Sequence, residues 1–68
     1  MRLRNARELR GLNQRQLAER MHVAQPLVSW VETGRMKPWP AFMERAAEAL
    51  GLSIEELFPE TKGDEQDD

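Results

Sequence analysis

The sequence predicts an all-α fold of five short helices followed by a disordered acidic tail. Three observations support it. Apolar residues recur at helical spacing in short windows, never with the alternation of a strand. Helix-start residues (Asn13, Pro26, Pro40, Ser53) and helix-stop glycines (Gly11, Gly34, Gly51) bracket those windows. From Glu60 onward there is no aliphatic or aromatic residue, and five acids stand against one lysine.

Each element follows from local chemistry. The first helix is expected over residues 2–10, with Leu3, Ala6, Arg7 and Arg10 on one side and Gly11 as its C-terminal cap. Asn13 caps a second over 14–21, whose Leu17, Ala18 and Met21 share a face. His22 and Val23 leave room only for a turn. A third helix runs over 25–32, with Pro26 in its first turn, where a missing N–H costs nothing. Val28 and Val31 face inward there, and Gln25, Ser29 and Trp30 lie on the other side. After the loop 35–39, Pro40 opens a fourth helix that Gly51 stops. Ser53 caps a last short helix over 54–58, whose Glu55 and Glu56 suit its N-terminal dipole. The expected core is Leu3, Leu17, Met21, Val28, Val31, Met43, Ala46, Ala47, Leu50, Leu52, Ile54 and Leu57. The domain is read as residues 1–59, with 60–68 as the tail.

Composition removes several classes of function. At 68 residues the chain is one domain, and a chain this short buries only about 60% of its unfolded surface. Without cysteine there is no disulfide framework and no thiolate metal site. The lone His22 has no companions with which to bind zinc, so no metal and no cofactor are expected. No nucleophile–base pair or glycine-rich phosphate loop is present, which argues against an enzyme. No apolar run approaches the roughly 20 residues of a membrane span, so a cytoplasmic protein is expected.

The net charge of −2 conceals a strong polarity. Residues 1–40 carry eight cations against three acids, and residues 41–68 carry two cations against nine acids. A protein with one side turned toward nucleic acid has this division, and so does a solvated helix followed by an acidic tail.

The stretch from Gln14 to Glu32 has the order helix, short turn, helix. Such a pair meets at a steep angle and presents its second helix as a ridge that fits the major groove of B-DNA. The particular residues narrow the reading. Leu3 with Arg7, Gly11-Leu12-Asn13-Gln14, Leu17-Ala18-Glu19-Arg20, Val31-Glu32-Thr33-Gly34-Arg35, Lys37-Pro38, and the run from Ala46 through Leu50-Gly51-Leu52-Ser53 to Leu57-Phe58 stand in unbroken order. Over residues 3–58 the chain thereby resembles the lambda-repressor/Cro-type (XRE-like) helix-turn-helix family.

That resemblance implies a compact, lambda-repressor-like DNA-binding domain acting as a transcriptional regulator, most readily a repressor, on double-stranded DNA. It places Gln14 against a phosphate at the start of the second helix, a position where free N–H groups already favour anions. It places Gln25, Pro26, Leu27, Ser29 and Trp30 on or near the groove-facing surface. Glutamine is able to bond adenine in a bidentate way, whereas Pro26 offers only apolar contact. Trp30 either lies against sugar-phosphate or folds back on Trp39. Thr33, Arg35 and Lys37 fall where the family holds the phosphate backbone, adding affinity without sequence information. Arg7 and Glu32 match a structural ion pair that sets the angle of the recognition helix.

The chain also departs from the family's pattern. His22 stands where the turn usually has glycine, so it either accepts a left-handed conformation or the turn differs. Ala24 replaces the usual serine or threonine cap, and Trp39 replaces another capping serine. Ala6 and Ala46 stand where larger aliphatics are common, leaving Trp39, Phe42 or Leu9 to fill the core.

One short helix touches only about 4–6 base pairs, so a symmetric dimer on a pseudo-palindromic operator is expected, its half-sites roughly 34 Å apart. The resemblance assigns the dimer-forming end to residues 52–58, and a weak homodimer completed by DNA follows. The rival reading is a protein-interaction module of the antitoxin type, with the acidic tail binding a protein partner.

Overall fold

The computed structural model describes residues 2–59. Five helices account for all the regular structure among them: α1 (Arg2–Leu9), α2 (Gln14–Met21), α3 (Gln25–Glu32), α4 (Pro40–Leu50) and α5 (Ile54–Leu57). The acidic stretch 60–68, expected to be a tail, lies outside the described residues.

The helix limits follow from their caps. Asn13 accepts from the Gln16 N–H at 2.7 Å while the Gln16 side-chain oxygen accepts from the Asn13 N–H at 2.8 Å, a reciprocal box that starts α2. Ser53 and Glu56 form the same box at the start of α5. Helix α4 ends at Gly51, whose φ of 69° is a left-handed conformation costly for any residue with a Cβ. Neither Ala24 nor Trp39 makes a side-chain cap, so α3 and α4 open on a proline in the first turn instead.

The buried core draws on every helix: Leu3 and Ala6 of α1, Leu17, Ala18 and Met21 of α2, Val28 and Val31 of α3, Phe42, Met43, Ala46 and Leu50 of α4, and Leu57 with Phe58. Helix α4 is the hub, packing against α1, α2 and α5. Helix α3 leans on α2 far more than on any other element, so it stands as a ridge at the edge of the bundle.

Three sequence expectations about packing need correction. Phe58, absent from the expected core, is fully buried; Phe42, one of the residues expected to fill the core, is fully buried too. Both form an aromatic chain with Trp39, with centroids 5.0 Å apart for Trp39–Phe42 and 6.3 Å for Phe42–Phe58. These rings supply the volume that Ala6 and Ala46 lack. Leu9 does not fill the core; it is 85% exposed. Ala47, Leu52 and Ile54 lie half-buried at the margin of the core rather than within it.

Candidate nucleic-acid interface

The turn between α2 and α3 occupies only His22 to Ala24. His22 adopts φ 60° and ψ 42°, the one non-glycine residue with positive φ among those described. The His22 N–H bonds the Glu19 carbonyl at 3.2 Å and the Val23 N–H bonds the Ala18 carbonyl at 3.0 Å, closing the end of α2 as a left-handed cap does. The chain thus takes the glycine conformation without glycine.

From α4, the Arg45 guanidinium supports this turn. Its Nη1 donates to the Met21 carbonyl at 3.2 Å and to the His22 carbonyl at 3.0 Å. Nothing in the sequence singles out Arg45, because its partners are backbone oxygens far upstream.

The far end of α3 is fixed by charge. Arg7 donates from Nε to Glu32 Oε2 at 2.8 Å and from Nη2 to Oε1 at 3.1 Å, while its Nη1 reaches the Leu12 carbonyl at 2.8 Å. The two side chains are 9% and 2% exposed. The bond to Glu32 holds the Arg7 guanidinium above its ordinary pKa, against the opposing effect of burial. Gln14 joins this cluster, its Nε2 donating to Glu32 Oε1 at 3.0 Å. One amide N–H and the oxygen of Gln14 are left for an outside partner.

Between these two anchors, α3 turns Val28 and Val31 into the core and leaves Gln25, Pro26 and Trp30 exposed and Ser29 half-exposed. Trp30 is 39% exposed and takes no part in the aromatic chain, which runs through Trp39 instead. Leu27 lies half-buried against the core, with correspondingly less surface to offer a ligand.

A shallow polar depression lies beside this ridge, bounded by Arg7, Asn13, Gln14, Arg15 and Gln25. It brings Gln14 and Gln25 together and adds Arg15, whose exposed position one residue into α2 is the only sequence signal that could have marked it. Beyond α3, Arg35 and Lys37 are exposed on the loop. Thr33 differs from them. Its hydroxyl lies 2.9 Å from the Ser29 carbonyl and 3.3 Å from that of Trp30, so its proton serves the end of α3. A phosphate needs a donor, and the Thr33 hydroxyl has that donor engaged.

No group of three or more His, Cys, Asp or Glu able to hold a metal occurs among the described residues. No helix among them is long and apolar enough to cross a membrane.

A short helix braced on its neighbour across a three-residue turn, its outer face free, defines a helix-turn-helix. The helix-turn-helix domain family model matches residues 1–58, and the chain belongs to that family in its XRE-like form. Two curated relatives carry the description uncharacterized HTH-type transcriptional regulator, one from each of two Mycobacterium tuberculosis strains, CDC 1551 / Oshkosh and ATCC 25618 / H37Rv. Each is 41% identical over 56 residues, a match that covers 82% of this chain and 40% of the relative. The chain therefore spans less than half the length of the curated relatives it matches. No solved structure matches it.

Proposed function

We propose that this protein is a sequence-specific regulator of transcription that binds double-stranded DNA, with α3 in the major groove. The observation that carries the reading is the exposed outer face of α3, held between the Arg7–Glu32 pair at one end and the left-handed turn at the other. A ridge fixed at both ends presents side chains to base edges in a constant pose. In this reading Gln25 bonds a base edge, and Pro26, Leu27, Ser29 and Trp30 make apolar and backbone contacts around it. Gln14 meets a phosphate beside the depression it shares with Arg15. Arg35 and Lys37 hold the backbone beyond α3, with the Thr33 hydroxyl closing the end of that helix. The regulatory outcome is repression, by occupying an operator, and the location is cytoplasmic.

A second copy completes the operator contact. Of the segment 52–58, Leu57 and Phe58 are 1% exposed and belong to the domain's own core. Leu52 and Ile54 remain, lining a shallow groove together with Glu44, Ala47, Glu48 and Gly51. They form the dimer contact in this proposal, and its small apolar area fits a weak dimer that DNA stabilises.

The relatives named as HTH-type transcriptional regulators support the same reading. The partner-binding alternative draws on the stretch 60–68, and nothing in the fold adds to it.

Selection of binding sites from a random duplex pool tests the proposal. The expected result is an enriched sequence with two-fold symmetry. A pool that stays random after repeated rounds would rule out sequence-specific binding.

A further inference from the structure

We infer that Arg45 is a positioning residue for DNA binding: from α4 it clamps the α2–α3 turn and thereby fixes the pose of α3, while touching no DNA itself. The inference rests on the DNA-reading function proposed above.

Met21 and His22 lie at the end of α2, where carbonyls have no partner further along the helix and the helix dipole favours a cation. Arg45 Nη1 meets both carbonyls, at 3.2 and 3.0 Å. The clamp therefore sits on the residue with the least comfortable backbone of the whole motif. Left-handed φ and ψ are resisted by any L-residue with a Cβ, and His22 has no glycine freedom to relieve it. Two bonds from a charged donor offset that resistance.

The consequence for α3 is geometric. Its C-terminal end is tied through Glu32 to Arg7 and Gln14. Its N-terminal end follows directly from the turn, and Ala24 adds no cap bond there. Because α3 leans chiefly on α2, a turn that relaxes would let α3 swing about its Glu32 end. Gln25 and Pro26, nearest the turn, would then move most.

The test uses the duplex that the unaltered chain selects from a random pool, with a scrambled duplex of equal length beside it. Four proteins are compared: unaltered, Arg45→Met, His22→Gly, and the double variant. Affinity is measured at several salt concentrations, at a temperature where circular dichroism shows every variant folded, so lost stability by itself leaves affinity unmoved. Arg45→Met is expected to weaken binding to the selected duplex by about tenfold through loss of its charged hydrogen bonds. It should leave the scrambled duplex and the salt slope unchanged. Glycine at position 22 adopts the left-handed turn freely, so in that background Arg45→Met should cost roughly threefold or less. Undiminished affinity of Arg45→Met overturns the inference, and so does an equal loss in both backgrounds. A salt slope lower by about one would make Arg45 a phosphate contact instead. If the unaltered chain enriches no duplex, the DNA-reading function itself falls, and this role of Arg45 with it.

Discussion

Glu32 receives three hydrogen bonds from two other helices: two from the Arg7 guanidinium, at 2.8 and 3.1 Å, and one from the Gln14 amide at 3.0 Å. This joins α1, α2 and α3 at a single carboxylate. The residue proposed to touch phosphate thus donates to the same carboxylate as Arg7.

Removing the carboxylate should therefore damage the fold first. Glu32→Ala leaves the Arg7 guanidinium buried without its partner, at an expected cost of about 3–5 kcal/mol. In a domain whose whole stability is on the order of 5 kcal/mol, that leaves a large unfolded fraction. Urea unfolding followed by circular dichroism measures it. Arg7→Met combined with Glu32→Leu should recover much of the loss, because no charge is then stranded.

Ala24 offers a stabilising substitution. It has the extended backbone of an N-cap, φ −70° and ψ 141°, and lacks only the side-chain acceptor. The Leu27 N–H already meets the Ala24 carbonyl at 3.1 Å, so Ala24→Ser should add a second acceptor for it and raise stability by about 0.5–1 kcal/mol. For a domain of this size, each kcal/mol gained corresponds to a melting temperature higher by roughly 4–8 °C. An unchanged thermal melt would mean that Pro26 and the packing of Val28 already fix the start of α3.

Base reading and backbone holding should separate experimentally. Gln25→Ala should cost about 1–3 kcal/mol on the preferred duplex and relax selection at one base position. Neutralising Arg35 and Lys37 together should weaken all duplexes alike and lower the salt slope by about two at most. Binding to a randomised library over a salt series distinguishes the two. Uniform weakening by Gln25→Ala would remove it from the list of readers.

The capping box of α5 gives stability a pH dependence of known sign. Bonds from Ser53, first from its backbone and then from its side chain, lower the Glu56 carboxyl below its ordinary value of 4.5. A group whose folded pKa is depressed contributes fully above its unfolded value and loses that contribution as pH falls through the folded one. Glu56→Gln does not titrate. The stability advantage of Glu56 over glutamine should accordingly shrink as pH is lowered from about 6 to about 3. A constant difference across that range would assign the effect of the substitution to something other than the ionised cap.

The helix limits were legible because caps and stops are local chemistry. Asn13, Ser53, Pro40 and Gly51 act within a few residues of themselves, and the structure places the five helices to within one residue of their expected ends. Core membership was harder around α5. Phe58 and Ile54 are both apolar, and only the approach of α1 and α4 decides that Phe58 is swallowed and Ile54 left at the margin. Leu9 shows the same limit, an apolar residue at the end of α1 with nothing packed over it. The site divided similarly. The outer face of α3 can be read from Val28 and Val31, whose burial forces their neighbours outward. The engaged proton of Thr33 and the reach of Arg45 to Met21 and His22 depend on three-dimensional geometry that no residue pattern encodes.

The attachment of α3 also bears on how such a protein diversifies. Its inward ties run through Val28, Val31 and Glu32, with Leu27 at the margin. The side chains at positions 25, 29 and 30 take little part in holding the domain together, whereas Pro26 also opens the helix. In the proposed DNA-reading function they form an interchangeable set: new side chains there alter what is recognised while the scaffold beneath stays the same. On that proposal, a lineage built on this scaffold is able to acquire a new target sequence by a few surface substitutions, without passing through an unfolded intermediate variant.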